Sequence, residues 1–221
     1  MTVIAADAFT GTSGDQIGGR ATTGGTWSRM DPGAADQVVI SSSGTAAQIL
    51  NTGVAFRSAR LVWTATPSSA DYEVSATFST PDPGVGGRCA VLVRCGADDS
   101  DYGYRLDLNL GSGELRLYKH WSTIQVAGAS YPPTADVPFT LTLRAVGTAL
   151  TGYVNGVEAV SGADSDITAV RNGGFLLEYT GTIENAAVQS PRIDAWAVDD
   201  LSTPSGPSAA ATLGINKGFI R

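Results

Sequence analysis

The single histidine, His120, precedes Trp121 and has no Gly-x-Ser-x-Gly elbow anywhere in the chain to serve, so a Ser-His-Asp hydrolase is not assembled here. It also lacks a partner at metal-ligand spacing. A retaining glycosidase needs two carboxylates about 5 Å apart. The acids that would supply them are scattered: Glu114, Glu158, Glu178 and Glu184 each stand apart, and Asp107 lies alone between Leu106 and Leu108 with Arg105 nearby. No glycine-rich loop opens a helix, which removes the usual phosphate cradle. These absences predict a chain that is not an enzyme. One acidic loop, Asp98-Asp99-Ser100-Asp101, offers hard oxygen ligands suited to Ca²⁺, without EF-hand spacing. Asp98, Asp99 and Asp101 are therefore the metal candidates, and no other cofactor is expected.

A second pattern suits recognition rather than catalysis. Arg105, Asp107 and Asn109 alternate along one segment; Arg116, Tyr118 and His120 alternate along the next, with Trp121 adjoining. Planar hydrogen-bonding groups beside aromatic rings are what a sugar surface uses, and an ordinary solvated sheet face uses them too. Arg94 and Arg144 would extend this face. Tyr118, His120, Trp121 and Tyr131 are the candidate exposed aromatics, whereas Trp27, Trp63 and Trp196 are predicted in the core.

The elements that must position these residues are almost all β-type. Segments 88–95, 102–109, 114–119, 139–146 and 149–154 read as strands, and Asn155-Gly156 gives a tight hairpin signal. Segment 71–78 alternates Tyr72, Val74, Ala76 and Phe78 against Glu73, Ser75 and Thr77, as a half-buried strand does. Shorter strands are predicted near 4–9, 37–40, 46–50 and 60–64, a continuously apolar one at 173–180, and a last one at 192–199. Residues 133–138 or 164–172 have room for a helical turn. The predicted core includes Phe9, Trp63, Val74, Phe78, Val91, Val93, Leu106, Leu108, Leu141, Leu143, Phe175, Leu177 and Ile193. Cys89 and Cys95 fall in one strand, about 20 Å apart at roughly 3.3 Å per residue. They are expected to be reduced, buried and on one face with Val91 and Val93.

Composition narrows the partners. The net charge is −7 and no cluster of Lys or Arg occurs in sequence, which argues against nucleic acid and anionic membranes. No apolar run is long enough to span a bilayer, so no membrane insertion is expected. Residues 1–9 show neither a basic n-region nor an apolar h-region, which predicts a chain made in a cytoplasm without a secretion signal. Residues 1–201 read as one body. Residues 202–221 begin as a Pro/Gly/Ser linker and end in large apolar side chains, predicting an extended arm. Leu213, Ile215, Phe219 and Ile220 are its expected anchors on a neighbouring protein.

Several ordered motifs resemble the concanavalin A-like lectin/glucanase superfamily, specifically its laminin-G-like jelly rolls. They are Asp7-Ala-Phe-Thr-Gly-Thr-Ser-Gly-Asp15 with Gly24-Gly-Thr-Trp27, segment 71–78, Val91-Leu-Val-Arg94 with Asp101-Tyr-Gly-Tyr-Arg-Leu106, Thr148-Ala-Leu-Thr-Gly-Tyr-Val-Asn-Gly156, and Arg192-Ile-Asp-Ala-Trp196. The resemblance spans residues 7–201. It implies an all-β, two-sheet antiparallel sandwich with one concave sheet, and no particular substrate. Since such domains occur in bacteriophage structural proteins, it leads to the expectation of a non-enzymatic virion protein, a capsid decoration or minor tail protein. That protein would sit in the particle through its arm, with homo-oligomers and contact to host glycans as further expectations. The alternative is a carbohydrate-binding module for a cell-surface or extracellular polysaccharide.

Overall fold

The computed structural model describes residues 2–22, 24–30, 38–49, 57–96, 103–119, 124–179 and 191–201. In chain order the strands are β1 (Thr2–Asp7), β2 (Ala21–Thr22), β3 (Gly25–Arg29), β4 (Val38–Ile40), β5 (Ala47–Ile49), β6 (Arg57–Trp63), β7 (Tyr72–Ser79) and β8 (Arg88–Cys95). There follow β9 (Tyr104–Asn109), β10 (Glu114–Lys119), β11 (Ile124–Ser130), β12 (Phe139–Val146), β13 (Ala149–Val154), β14 (Val157–Ala163), β15 (Asn172–Tyr179) and β16 (Arg192–Asp200). One sheet runs β14-β13-β12-β7-β16-β5-β4, with β1 also paired to β16; the other runs β11-β10-β9-β8-β15-β6-β3-β2. All pairings are antiparallel and the two inner faces share one core, so the described chain is a two-sheet sandwich.

The period-2 pattern dictates this layering. In β12, Phe139, Leu141, Leu143 and Ala145 are buried inward, opposite Phe78, Ala76, Val74 and Tyr72 of β7. The outward residues pair across the same strands. Thr77 bonds Thr140 at 3.0 Å, Ser75 bonds Thr142 at 2.8 Å, and Arg144 Nε donates to Glu73 at 2.7 Å. At the β13–β14 turn, Asn155 (φ 51°) and Gly156 (φ 79°) take the left-handed conformations of a two-residue hairpin that brings Val154 opposite Val157. Every residue of the predicted core lies in the inter-sheet cluster.

The opening motif is a structural pin. Trp27 Nε1 donates to Asp7 Oδ2 at 2.8 Å, and the Phe9 amide donates to Asp7 Oδ1 at 2.7 Å. Phe9, held at φ 46°, stacks on Trp27, which in turn meets Trp63, Trp196 and Phe175 edge-on.

The structure corrects several local expectations. Arg94 is wholly buried at one end of the sandwich, not displayed on a sheet face. Its side chain donates to the carbonyls of Ala70, Gly147 and Ile167 and pairs with Asp71 at 3.6 Å. Its backbone is left-handed at φ 53° and shifts the register opposite β15. That shift breaks the alternation. Cys89 faces the inter-sheet core, whereas Cys95 packs on the outer face with Met30, Val62 and Leu92. Both cysteines are buried and neither is in a disulfide, but they do not share a face. Arg144 sits on the outer face of the other sheet, paired with Glu73. Four strands escaped prediction, the short β2 and β3 of a Gly/Thr-rich stretch among them. Segment 124–130 is rich in Ala and Gly, which strands disfavour, and 157–163 mixes small and polar residues. Neither 133–138 nor 164–172 is helical; the helical turn among the described residues is Pro83–Val85, capped by the Asp82 side chain.

Candidate functional site

Register assembles the site on the outer face of the second sheet. Inward residues Leu106, Leu108, Leu115 and Leu117 fix the orientation of β9 and β10, so Arg105, Asp107, Asn109, Arg116 and Tyr118 point outward. Asp107 lies between Ala90 and Arg116, and Arg105 between Leu92 and Tyr118. One row further, Arg88 lies between Asn109 and Glu178. Five predicted residues are therefore brought together. Arg88, Glu178 and the buried Arg60 join them; the sequence reading missed Glu178 and Arg60 because β15 and β6 are distant along the chain, and passed over Arg88 on the strand next to β9. Their outward parity on strands 57–63, 88–95 and 172–179 is the signal that would have found them.

The face is an ion-paired bed rather than an open surface. Asp107 is only 2% exposed, with Oδ1 3.7 Å from Arg88 Nη1 and Oδ2 3.4 Å from Arg105 Nε. Glu178 Oε1 lies 3.4 Å from Arg88 Nε. Tyr118 is 6% exposed, which corrects its expected exposure. The Arg105 guanidinium lies 4.7 Å from its ring centroid and that of Arg116 at 5.8 Å. Arg116 also donates to the Tyr118 hydroxyl at 2.5 Å and pairs with Glu114. Tyr131 is partly buried, its ring 5.7 Å from Phe139.

Burial sets the electrostatics. It pushes the Asp107 carboxyl above the ordinary carboxylate range, against the pull of Arg105, Arg88 and Arg116. It raises Glu178 in the same way, opposed chiefly by Arg88 and reinforced by Asp107. Arg105 is lowered by burial, with Asp107 opposing. The two carboxylates flank β8, but the guanidinium of Arg88 occupies the space between them, where a glycosidase would seat the scissile bond. Glu114, Glu178 and Asp107 are thus partners in a network, not the separate acids they are in sequence.

A second cluster closes one sandwich end. Lys119 Nζ donates to Asp164 at 3.0 Å and to Asp166. Tyr104 donates to Asp164 at 2.5 Å, and burial followed by that bond pushes its phenol up to about 12. Each group answers another, so this is a latch for the loop after β14. Among the described residues no group of three His, Cys, Asp or Glu side chains is placed to hold a metal. Asp98, Asp99 and Asp101, together with His120, Trp121 and the arm residues Leu213, Ile215, Phe219 and Ile220, lie outside the described residues.

No protein-family model and no curated protein sequence matches the chain. Solved structures do match in fold. A carbohydrate binding module, CBM66, from Bacillus subtilis superposes with a TM-score of 0.55 at 14% identity, over 79% of this chain and 92% of that one. The exoplasmic/lumenal domain of VIP36, bound to Ca²⁺ and Man2, gives 0.60 at 9% identity over 87% and 89%. A Bacillus subtilis protein of unknown function with a galectin-like fold gives 0.59 at 13% identity over 86% and 97%. At these identities the likeness is one of architecture, and it agrees with the strand order: the chain has the concanavalin A-like jelly-roll fold.

Proposed function

We propose that this chain is a non-catalytic carbohydrate-binding domain that engages glycans on the outer face of the second sheet, along the border formed by Asn109, Glu114 and Arg116. The observation that carries the reading is the ion-paired bed of Arg88, Arg105, Asp107, Arg116 and Tyr118. It holds planar hydrogen-bonding groups at preset positions, so a polyol binding there would cost little side-chain entropy. The fold shared with a carbohydrate binding module and with a mannose-bound domain supports this reading. Those neighbours lend nothing to a virion role, and the arm on which that role rests lies outside the described residues.

The test is a glycan array probed with the full chain, followed by calorimetry on any hit. An N109A/R116A double variant that melts like the parent should lose the hit. Binding that survives the double variant would remove this face from the proposal. An array with no signal would remove glycan binding itself.

A further inference from the structure

Resting on that reading, we infer that the ligand of this face is an acidic glycan, one bearing carboxylate or sulfate groups received by the guanidinium ends of Arg88 and Arg116. The first argument is vertical placement of charge. Arg60, Arg88, Arg105 and Arg116 meet Asp107, Glu114 and Glu178 on this face, among the described residues. Two of the three carboxylates lie underneath, with Asp107 at 2% and Glu178 at 9% exposure. The side chains of Arg88 and Arg116 reach solvent at 33% and 34%. Solvent therefore meets Arg88, whose counter-charges hold it from below, and Arg116, whose partner Glu114 stands beside it at the surface. In a chain of net charge −7 this is a local reversal of sign.

The second argument is what the face lacks among the described residues. A neutral sugar ring stacks on an open aromatic surface. Tyr118 offers none, because Arg105 lies over its ring at 4.7 Å and Arg116 approaches at 5.8 Å. The guanidinium is also the group whose fork matches a carboxylate or a sulfate. Glu114, 41% exposed and paired with Arg116, occupies the position of a ligand anion, so it acts as an internal competitor.

This leads to a test with opposite outcomes at two neighbouring residues. The full chain is titrated with oligogalacturonate and its methyl ester, and with dextran sulfate and plain dextran; each pair shares its sugar backbone and differs at the charged group. A charged probe should bind at least about tenfold more tightly than its neutral twin, with that preference falling as salt is raised. Arg116→Ala should erase the preference while melting like the parent. Glu114→Gln should strengthen binding about two- to fivefold by freeing Arg116. Which pair shows the preference tells carboxylate from sulfate. Equal or tighter binding of the neutral twins would overturn the inference and leave the glycan reading standing. A charge preference unmoved by Arg116→Ala would overturn it too. Binding to none of these probes, joined to an empty glycan array, would overturn both readings.

Discussion

Replacing Arg94 by Met tests whether this buried cation holds the end of the sandwich. Met keeps most of the volume and removes the charge and every donor. The structure sets the magnitude. Arg94 is 0% exposed and makes four hydrogen bonds of 2.8–3.1 Å to the three carbonyls of Ala70, Gly147 and Ile167. Its ion pair with Asp71 adds little, since that carboxylate side chain is 39% exposed. Leaving a buried acceptor unpartnered costs about 1–3 kcal/mol. Water can reach Gly147 in its turn, so the loss from all three carbonyls should total about 3–5 kcal/mol. For a domain of this size 1 kcal/mol shifts Tm by about 2–4 °C, which predicts a fall of about 6–20 °C. Arg94→Lys keeps the charge with fewer donors and should fall between the two. Differential scanning calorimetry of the three proteins is the assay. A Met variant melting within about 3 °C of the parent would refute the reasoning, because it would mean that those carbonyls find other partners at no cost.

Three further outcomes follow from packing and charge. Leu141→Ala, at a fully buried position between Ala76 and Val154, should cost about 2–5 kcal/mol in urea unfolding. Burial lifts Glu178 above its ordinary value of 4.5, so the folded protein keeps a proton there that the unfolded chain has released. Stability contributed by that proton is lost as pH rises from about 4.5 through the folded value, and Glu178→Gln should flatten this slope when urea midpoints are compared across pH 4–8. Cys89 and Cys95 should stay unreactive toward a thiol reagent in native buffer and titrate as two thiols in denaturant.

How far the sequence could be read depended on how local the information was. Alternation along 139–146 and 114–119 located β12 and β10 to the residue, because each strand carries its own in–out pattern. Asn155-Gly156 announced its hairpin for the same reason. Strand β11 was invisible since Ala127, Gly128 and Ala129 give no contrast between faces, and its pairing with β10 supplies the order instead. The orientation of Arg94 and Cys95 was lost because a left-handed residue inside a strand flips everything after it, and no residue type there signals it. At the candidate site, alternation grouped Arg105, Asp107 and Asn109 along β9 and Arg116 with Tyr118 along β10, and the register puts both groups on one face. It could not join Glu178 to them, since that contact needs β15 to lie beside β8, and the facing residues Arg88 and Glu178 stand 90 positions apart, beyond any local window of strand length.

The residues that carry the resemblance and the residues that carry the proposed site meet only at Arg105, and this explains why recognition of the fold did not bring a ligand with it. Asp7, Phe9 and Trp27 build one buried knot, and Arg94 builds another at the sandwich end. A side chain that satisfies buried backbone groups cannot be exchanged without orphaning them, so such positions identify the architecture. Arg88, Arg105 and Arg116 pair with Asp107, Glu178, Glu114 and the Tyr118 hydroxyl on an outer face. That face can be rebuilt with other pairs while the core stays as it is, because the inward residues of the same strands fix β8, β9 and β10 independently. On the proposed reading, ligand choice in this sandwich would be written in the outward parity of three neighbouring strands. Charge-reversing or charge-removing substitutions at the solvent-reaching Arg116 should change what is bound before they change whether the chain folds.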